Sequence, residues 1–264
     1  MTADIPGAER EAIERLAAAE RLLVALDFDG TLSPLEDEPM DARMLPAARD
    51  AVNALLSTPD TVVAFVSGRS LVDLREIAEH DDASPILLAG SHGAEFWMPG
   101  AGVVTHGEDA ADVAIRDTLR MRAEEETAHL EGVWIEPKTF GFGVHTRRAA
   151  PEAAAEADRR VDAIVAAGAP QWRRRTGHNI VEFAFRHEGK DSAVAELRDR
   201  VRATAVLFAG DDVTDEDAIK SLGEDDLGVR VGDGPTAAAV RVPDIAALAG
   251  LLTELARQRA RLRG

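Results

Sequence analysis

The chain reads as an α/β protein, a doubly wound parallel sheet of Rossmann-like type that carries an inserted α+β unit. Three observations predict this. Short apolar runs that read as buried strands alternate with amphipathic segments in both the first and the last third of the chain. Four of those runs end in turns rich in Gly, Asp and Ser, and doubly wound sheets bind ligands at such strand ends. Between the two outer portions the rhythm changes to helix, two strands, helix, two strands.

The elements follow in order. Ala8 to Glu20 has helical composition, and "RLLVALDFDG" is a strand breaking into a polar turn. Pro46 to Ser57 is an amphipathic helix, "TVVAFVSGRS" a strand and turn, and "SLVDLREIAEH" a helix opened by a Ser70 and Asp73 capping box. "SPILLAGSHGAE" is a strand ending in glycine-punctuated polar residues. In the middle, Glu108 to Leu130 is helical, "GVWIEP" and "TFGFGVHTR" are adjacent strands, and Pro151 to Ala167 is a helix. "PQWRRR" and "HNIVEFAF" close that unit, with Thr176 and Gly177 between them as a hairpin signal. The alternation resumes with the helix "KDSAVAELRDRV", the strand and acidic turn "TAVLFAGDDVTDED", the helix "EDAIKSLG", the strand "LGVRVGDG" and a last helix, "DIAALAGLLTELARQRARL". The expected division is a core of 1–99 with 187–264 and an insert of 100–186, hinged at the glycines of "PGAG" and "RHEGK".

Composition narrows the partners. The 264 residues carry a formal net charge of −18, which excludes a nucleic-acid or anionic-membrane partner, since both require a basic footprint. A phosphorylated small molecule therefore needs cations placed locally. With no cysteine there are no disulfides or thiolate metal ligands, which fits a reducing compartment. "MTADIPGAER" has acids and no apolar leader core, and no run approaches the roughly 18 apolar residues of a spanning helix, so the expectation is a cytoplasmic monomer without a membrane segment. Lysine is confined to Lys138, Lys190 and Lys220 in a chain that otherwise uses arginine, so each marks a place for a compact point charge.

In an extended segment residues i and i+2 share a side, so Asp27 and Asp29 emerge together while Phe28 packs the other way. Such a pair either caps turn amides or faces a cation. Asp211, Asp212 and Asp215 of "GDDVTDED" would complete an oxygen cage suited to Mg²⁺. A calcium loop fails on spacing, because Val213 interrupts the ligands. In the same turn Thr214 and Asp217 read as a capping box, and Glu216 as an acid of a first helical turn. Lys190 opens a helix, where a cation is unfavourable unless anions meet it. Ser67 offers a hydroxyl at a strand end, beside Gly68 and Arg69. Glu136 with Lys138, and His145 with Arg147, repeat the i, i+2 spacing in the insert, and Glu182 lies on its last strand. Arg173 to Arg175 read as a solvated strand face.

"LDFDGTLSP", "VSGR", the lysine at 190 and "GDDVTDED" resemble, in chain order, the four motifs of the haloacid dehalogenase-type phosphatases. "GSHGAE", "IEPKTFGFGVHTR" and "GDDVTDED" are similar to the trehalose-6-phosphate phosphatases, whose insert is an α+β cap. The resemblance implies hydrolysis of trehalose 6-phosphate to trehalose and phosphate, with Mg²⁺ and an aspartyl-phosphate intermediate. It implies Asp27 as nucleophile, Asp29 as general acid and base, and Ser67 and Lys190 as holders of the phosphoryl oxygens. The metal would be held by Asp27, the backbone carbonyl of Asp29 and Asp211, with Asp212 and Asp215 in support. Gly68, Arg69, His92, Gly93 and Glu95 of the core, and Glu136, Lys138, His145, Arg147 and Glu182 of the cap, would meet the substrate. Competing readings are a capped phosphatase for sucrose phosphate, mannosyl-phosphoglycerate or a pseudo-sugar phosphate, and a non-catalytic phosphosugar sensor. Two positions depart from the pattern: Phe28 stands where tyrosine is usual, and Asp191 where glycine commonly follows the lysine.

Overall fold

The computed structural model describes residues 7–105, 107, 110–177 and 179–263. The reading of the leader, the start of the middle helix at Glu108 and the first residue of "HNIVEFAF" lie outside them. The chain forms two compact units, Met1–Val104 with Gly189–Gly264, and Thr105–Glu188.

The first unit is built on β1 (Leu22–Leu26), β2 (Thr61–Val66), β3 (Leu87–Gly90), β4 (Glu95–Met98), β5 (Gly102–Thr105), β10 (Ala205–Gly210), β11 (Leu227–Val231) and β12 (Val240–Val242), with α1 (Gly7–Ala18), α2 (Pro46–Leu56), α3 (Leu71–Ile77), α6 (Lys190–Val201), α7 (Asp215–Ser221) and α8 (Ile245–Arg263). The strands lie in the order β12-β11-β10-β1-β2-β3-β4-β5. From β12 to β3 every pairing is parallel, and β4 then runs antiparallel to β3. Strand β1 is buried on both faces, which is why it reads as a continuous apolar run. Its Leu22, Val24 and Leu26 pack with α1, α2, α3 and α8, while Leu23 and Ala25 pack with α6 and α7.

Two expectations are corrected here. Pro99 to Gly102, read as a hinge, is a turn between β4 and β5, which are neighbours in the first sheet, with Gly100 and Gly102 at φ of 79° and 73°. Thr176 and Gly177, read as the hairpin turn, belong to β8 (Arg173–Gly177), and beyond them Asn179 takes the left-handed conformation at φ 57°. Asparagine tolerates that region better than threonine, whose branched Cβ opposes it.

The second unit has a four-stranded sheet in the order β6 (Trp134–Lys138), β7 (Gly141–His145), β9 (Ile180–Ala184) and β8, antiparallel throughout. One face, with Phe142, Val144, Val181 and Phe183, packs on α4 (Ala110–Thr127) and α5 (Pro151–Gly168). Among the described residues no helix is long and apolar enough to cross a membrane.

One buried cation ties the first unit together away from the strand ends. Arg259 of α8 is fully buried, and Nη1 donates to the carbonyls of Leu16, Ala17 and Ala19 at 3.1, 3.2 and 2.9 Å. They lie at the end of α1, where a helix leaves carbonyls short of donors, with the Ala19 amide also reaching Leu16 at 3.2 Å and Arg263 also reaching Ala19 at 2.7 Å. Its other nitrogens reach the carbonyls of Pro59 and Asp60 at 3.3 and 3.0 Å and the hydroxyl of Thr61 at 2.8 Å. Arg259→Met keeps the apolar stem but removes the donors that tie these segments together and leaves the Ala17 carbonyl without one, so thermal unfolding is expected to show a loss of about 3 kcal/mol. A melting temperature equal to that of the parent chain would refute this role.

Candidate active site

Strand ends bring the reactive groups together. Asp27 follows β1 directly, and its amide donates to the carbonyl of Ala209 at 2.9 Å, extending the β1 and β10 pairing to the last residue. Ser67 follows β2 and Asp211 follows β10, so all three stand at the C-terminal edge of parallel strands. Lys190 is the first residue of α6, whose entry is fixed by reciprocal bonds of 2.9 Å between Gly189 and Ser192.

An ammonium buried at a helix amino end is disfavoured by desolvation and by the helix dipole, so it requires anions. Nζ of Lys190 donates to Oδ1 of Asp27 and to Oδ1 of Asp215, both at 2.6 Å. Burial alone would push the lysine toward neutrality, but Asp215 and Asp27 outweigh it and hold the ammonium charged above its usual range.

Asp27, Asp211 and Asp215 each place an oxygen within 4.8 Å of the others. Three carboxylates around one ammonium leave negative charge in excess. Burial pushes the Asp27 acid well above its ordinary value, and it pushes Asp211 up to about 6 with help from the neighbouring Asp215. A compact, anionic, oxygen-only donor set is what Mg²⁺ takes, and a bound dication would reverse both shifts. The residues therefore fit the metal. Thr31 lies beside the group, its hydroxyl 3.4 Å from Asp27 and 3.3 Å from Asp211. Gly30, at φ 76°, is required there, since a Cβ would fall 2.1 Å from an Asp211 oxygen.

Asp212 is not part of this cluster. Its contribution is its backbone, with the N–H donating to Oδ2 of Asp215 at 2.8 Å. The expected Thr214 and Asp217 capping box is absent as well, for Thr214 makes no side-chain cap and Asp215 takes the amide of the turn instead. Asp29 points its carboxylate elsewhere, accepting two bonds from Arg69, at 2.7 Å from Nε and 2.6 Å from Nη2. Phe28 is buried between the two acids and meets Phe65 edge-on at 5.8 Å.

The "GSHGAE" turn is held under backbone strain. Ser91, His92 and Gly93 have φ of 49°, 58° and 100°, a run that persists only when the surroundings impose it. The amide of Ser91 bonds to the carbonyl of Arg69 at 2.6 Å, and that of His92 to the carbonyl of Ser67 at 2.9 Å. Glu95 was expected at the substrate. Instead its carboxylate is buried and committed to protein donors, the Leu71 amide at 2.9 Å and the Ser91 hydroxyl at 3.0 Å. The His92 ring lies so close to Gly68 that a Cβ there would be 2.7 Å from it. Ser67 is buried, and its hydroxyl accepts the Arg69 amide at 3.1 Å.

The second unit has its own polar cluster on the sheet face away from its helices. Cross-strand register aligns Glu136, Gly143, Glu182 and Arg175 in one row. Lys138 reaches Glu182 at 2.8 Å and Glu136 at 3.3 Å, and His145 bonds Glu136 at 2.7 Å. Burial opposes the charge on Lys138, yet Glu182 and Glu136 raise its pKa, while Glu136 is lowered against its own burial by His145 and Lys138. Arg147 stands beyond the end of β7, exposed. Arg173 and Arg175 are not merely solvated, as they donate to the carbonyls of His187 (2.5 Å) and Glu188.

Sequence reasoning missed Trp134, which stacks on His145 at 4.4 Å with rings 2° from parallel, although "WIEPK" continues the same alternation back from Glu136. It also missed Arg230, whose signal was an arginine inside an apolar strand.

The architecture and these strand-end groups define a haloacid dehalogenase-like core. The chain is similar to the C-terminal domain of trehalose-6-phosphate phosphatase from Candida albicans, with TM-score 0.79 and 20% identity over 94% of this chain and 96% of that one. It is also similar to a haloacid dehalogenase-like hydrolase from B. subtilis, with TM-score 0.59 and 13% identity over 88% and 99%. At these identities the likeness establishes the fold. The family model for Trehalose-phosphatase matches residues 25–241, and the chain belongs to that family. Trehalose-phosphate phosphatase of Mycobacterium tuberculosis is 31% identical over 268 residues, covering 94% of this chain and 66% of the relative. A second protein of that organism, named an uncharacterized glycosyl hydrolase, is 31% identical over 267 residues, 92% of this chain and 19% of its own. The chain thus spans just under two thirds of one relative and about a fifth of the other.

The Asp211 shift gives a pH dependence. Its value of about 6 in the folded, metal-free chain exceeds the ordinary 3.8, so folding favours the protonated acid and stability from this group is lost as pH rises through that window. A divalent cation binds the ionised carboxylates and competes with the proton below about pH 6. Mg²⁺ is therefore expected to raise the melting temperature clearly at about pH 7.5 and little at about pH 5. An equal rise at both would contradict the assignment.

Proposed function

We propose that the chain is a Mg²⁺-dependent phosphatase that hydrolyses trehalose 6-phosphate to trehalose and inorganic phosphate. The observation that carries this reading is the buried Lys190 ammonium between Asp27 and Asp215 at the strand ends of a trehalose-phosphatase family member. Asp27 attacks phosphorus in line, forming an aspartyl-phosphate as the sugar oxygen leaves. Asp29 gives that oxygen its proton and then takes one from the water that cleaves the acyl phosphate. For this it must exchange Arg69 for the substrate. Lys190 and Ser67 hold the phosphoryl oxygens. Asp27, Asp211, Asp215 and the backbone carbonyl of Asp29 would hold the metal, which would supply positive charge against the repulsion of nucleophile and phosphate.

The first unit, expected over 1–99 with 187–264 and spanning Met1–Val104 with Gly189–Gly264, is the catalytic core in this proposal, and the insert is the cap that reads the sugar. Glu136, Lys138, His145 and Glu182 carry that role. Their donors and acceptors suit hydroxyl groups, and Gly143 leaves the middle of the row without a side chain.

Phosphate release from a panel of sugar phosphates, with Mg²⁺ and with chelator, tests the reading. Mg²⁺-dependent preference for trehalose 6-phosphate is expected, whereas release from another phosphosugar alone would discard the assignment of the cap residues. Asp27→Asn should lower kcat at least about a thousandfold with the fold intact by circular dichroism. Retention of more than a few per cent of activity, roughly, would sink the nucleophile. Lys138→Met should raise KM for trehalose 6-phosphate by about tenfold or more while leaving turnover of p-nitrophenyl phosphate nearly unchanged. Equal losses on both substrates would argue against a sugar-reading insert.

A further inference from the structure

Strand β11 is buried along its whole length, yet its fourth residue is an arginine. A guanidinium is costly in such a place unless it is paired, so the groups that receive Arg230 say what it does. Its backbone is in register with Gly210, the residue before Asp211. Nη1 donates to the carbonyl of Asp212 at 2.9 Å and Nη2 to the carbonyl of Asp233 at 3.0 Å. Glu216 supplies the counter-charge, 3.8 Å from Nη1, and both side chains are 10% exposed. Glu216 also accepts the Ala237 amide at 2.8 Å. One arginine thus joins the loop after β10, the first turn of α7 and the segment after β11.

Asp212 is where this brace reaches the carboxylates. The N–H of Asp212 donates to Oδ2 of Asp215 at 2.8 Å while its carbonyl accepts from Arg230. The peptides on both sides of its Cα are held and each is planar, and the Asp215 amide also donates to the Asp212 carbonyl at 3.2 Å, so Arg230 braces the same carbonyl that closes the turn from Asp212 to Asp215. A stabilising ion pair would need only the carboxylate of Glu216. Arg230 instead commits both terminal nitrogens to carbonyls, one of them inside the loop that carries two of the three converging acids.

We propose that Arg230, neutralised by Glu216, is a positioning residue for the divalent-cation site. It holds residues 211 to 215 in the arrangement in which Asp27, Asp211 and Asp215 converge, and so sets how tightly the cation binds without taking part in phosphoryl transfer. This rests on the reading of that group as the Mg²⁺ site.

The test titrates Mn²⁺ into the full chain without substrate, following free Mn²⁺ by electron paramagnetic resonance, beside melting curves and kcat at saturating Mg²⁺. Groups that orient metal ligands from behind are typically worth about 10- to 100-fold in affinity, so Arg230→Met is expected to weaken Mn²⁺ binding by about tenfold or more. Saturating Mg²⁺ should bring its kcat back to within about threefold of the parent. Arg230→Lys keeps the charge but lacks the fork that meets two carbonyls, and should lie between the two. Glu216→Gln keeps an acceptor for Ala237 but leaves the arginine charge uncompensated beside a cation site, so it too should bind Mn²⁺ more weakly.

Unchanged Mn²⁺ affinity in folded Arg230→Met would overturn the proposal. If that variant does not fold, Glu216→Gln decides, and unchanged affinity there overturns it. A large loss of kcat at saturating Mg²⁺ with Mn²⁺ binding intact would also overturn it, by placing Arg230 in the reaction. Failure of the parent chain to bind Mn²⁺ would remove the metal-site reading itself, while failure to cleave trehalose 6-phosphate leaves the binding test untouched.

Discussion

The contact of the Lys190 ammonium with Asp27 and Asp215 is the constraint on which the rest of the site depends. It joins residues 163 and 25 positions apart in the chain, and it forces the amino end of α6 against the strand ends despite the unfavourable dipole. Removing one partner of such a buried pair leaves a charge uncompensated at a cost of about 3–5 kcal/mol, which adds an electrostatic tie to the apolar packing of these segments. The same accounting shows what is missing. One ammonium cannot balance Asp27, Asp211 and Asp215, and burial, with the neighbouring carboxylates adding to it, raises the acids of Asp27 and Asp211.

Two aspartates one residue apart have been given opposite surroundings. Asp27 is buried among carboxylates and a lysine, while the Asp29 side chain is 26% exposed and clasped by an arginine from the next strand end. Phe28 makes the separation possible, because its burial against Phe65 turns the acids on either side of it out of the core. Gly30 then bends the chain back past Asp211 at a distance no other residue tolerates. Different environments for paired carboxylates are how one site comes to hold both a nucleophile and a proton carrier.

The sequence carried the convergence of the turns of Asp27, Ser67 and Asp211 at one sheet edge because it follows from period and topology, while Lys190 was legible from its place at a helix start and from the family resemblance. Alternation also placed Glu136 and Lys138 on one face. What it could not carry was the identity of partners across long separations. Glu95 and Arg69 are polar residues in the correct turns, and composition cannot say that one braces Leu71 and Ser91 while the other clasps Asp29. Asp212 and Asp215 look equivalent in "GDDVTDED", and only the turn geometry makes one a backbone donor and the other its acceptor. Strands β4, β5 and β12, of four, four and three residues, are too short for periodicity to distinguish. Trp134 extends the alternation of its strand and Arg230 interrupts an apolar run, so both carry a local signal in the sequence.

The insert cluster differs from the core site in a way that bears on what each can recognise. In the core, positive charge is scarce and carboxylates are in excess, an arrangement that suits a dication. On the insert sheet Lys138 sits between Glu136 and Glu182, and the His145 ring bonds Glu136 as well, so the one ammonium is already met by two carboxylates. Such a row has little left to neutralise an anion but keeps lone pairs and N–H groups at fixed places, which is what neutral hydroxyls require. Cross-strand pairing of β6, β7 and β9 and the ion pairs within the row fix where these groups stand, and a site of fixed donors and acceptors rejects a ligand that lacks one hydroxyl, because the unmatched protein group would then be left without a partner.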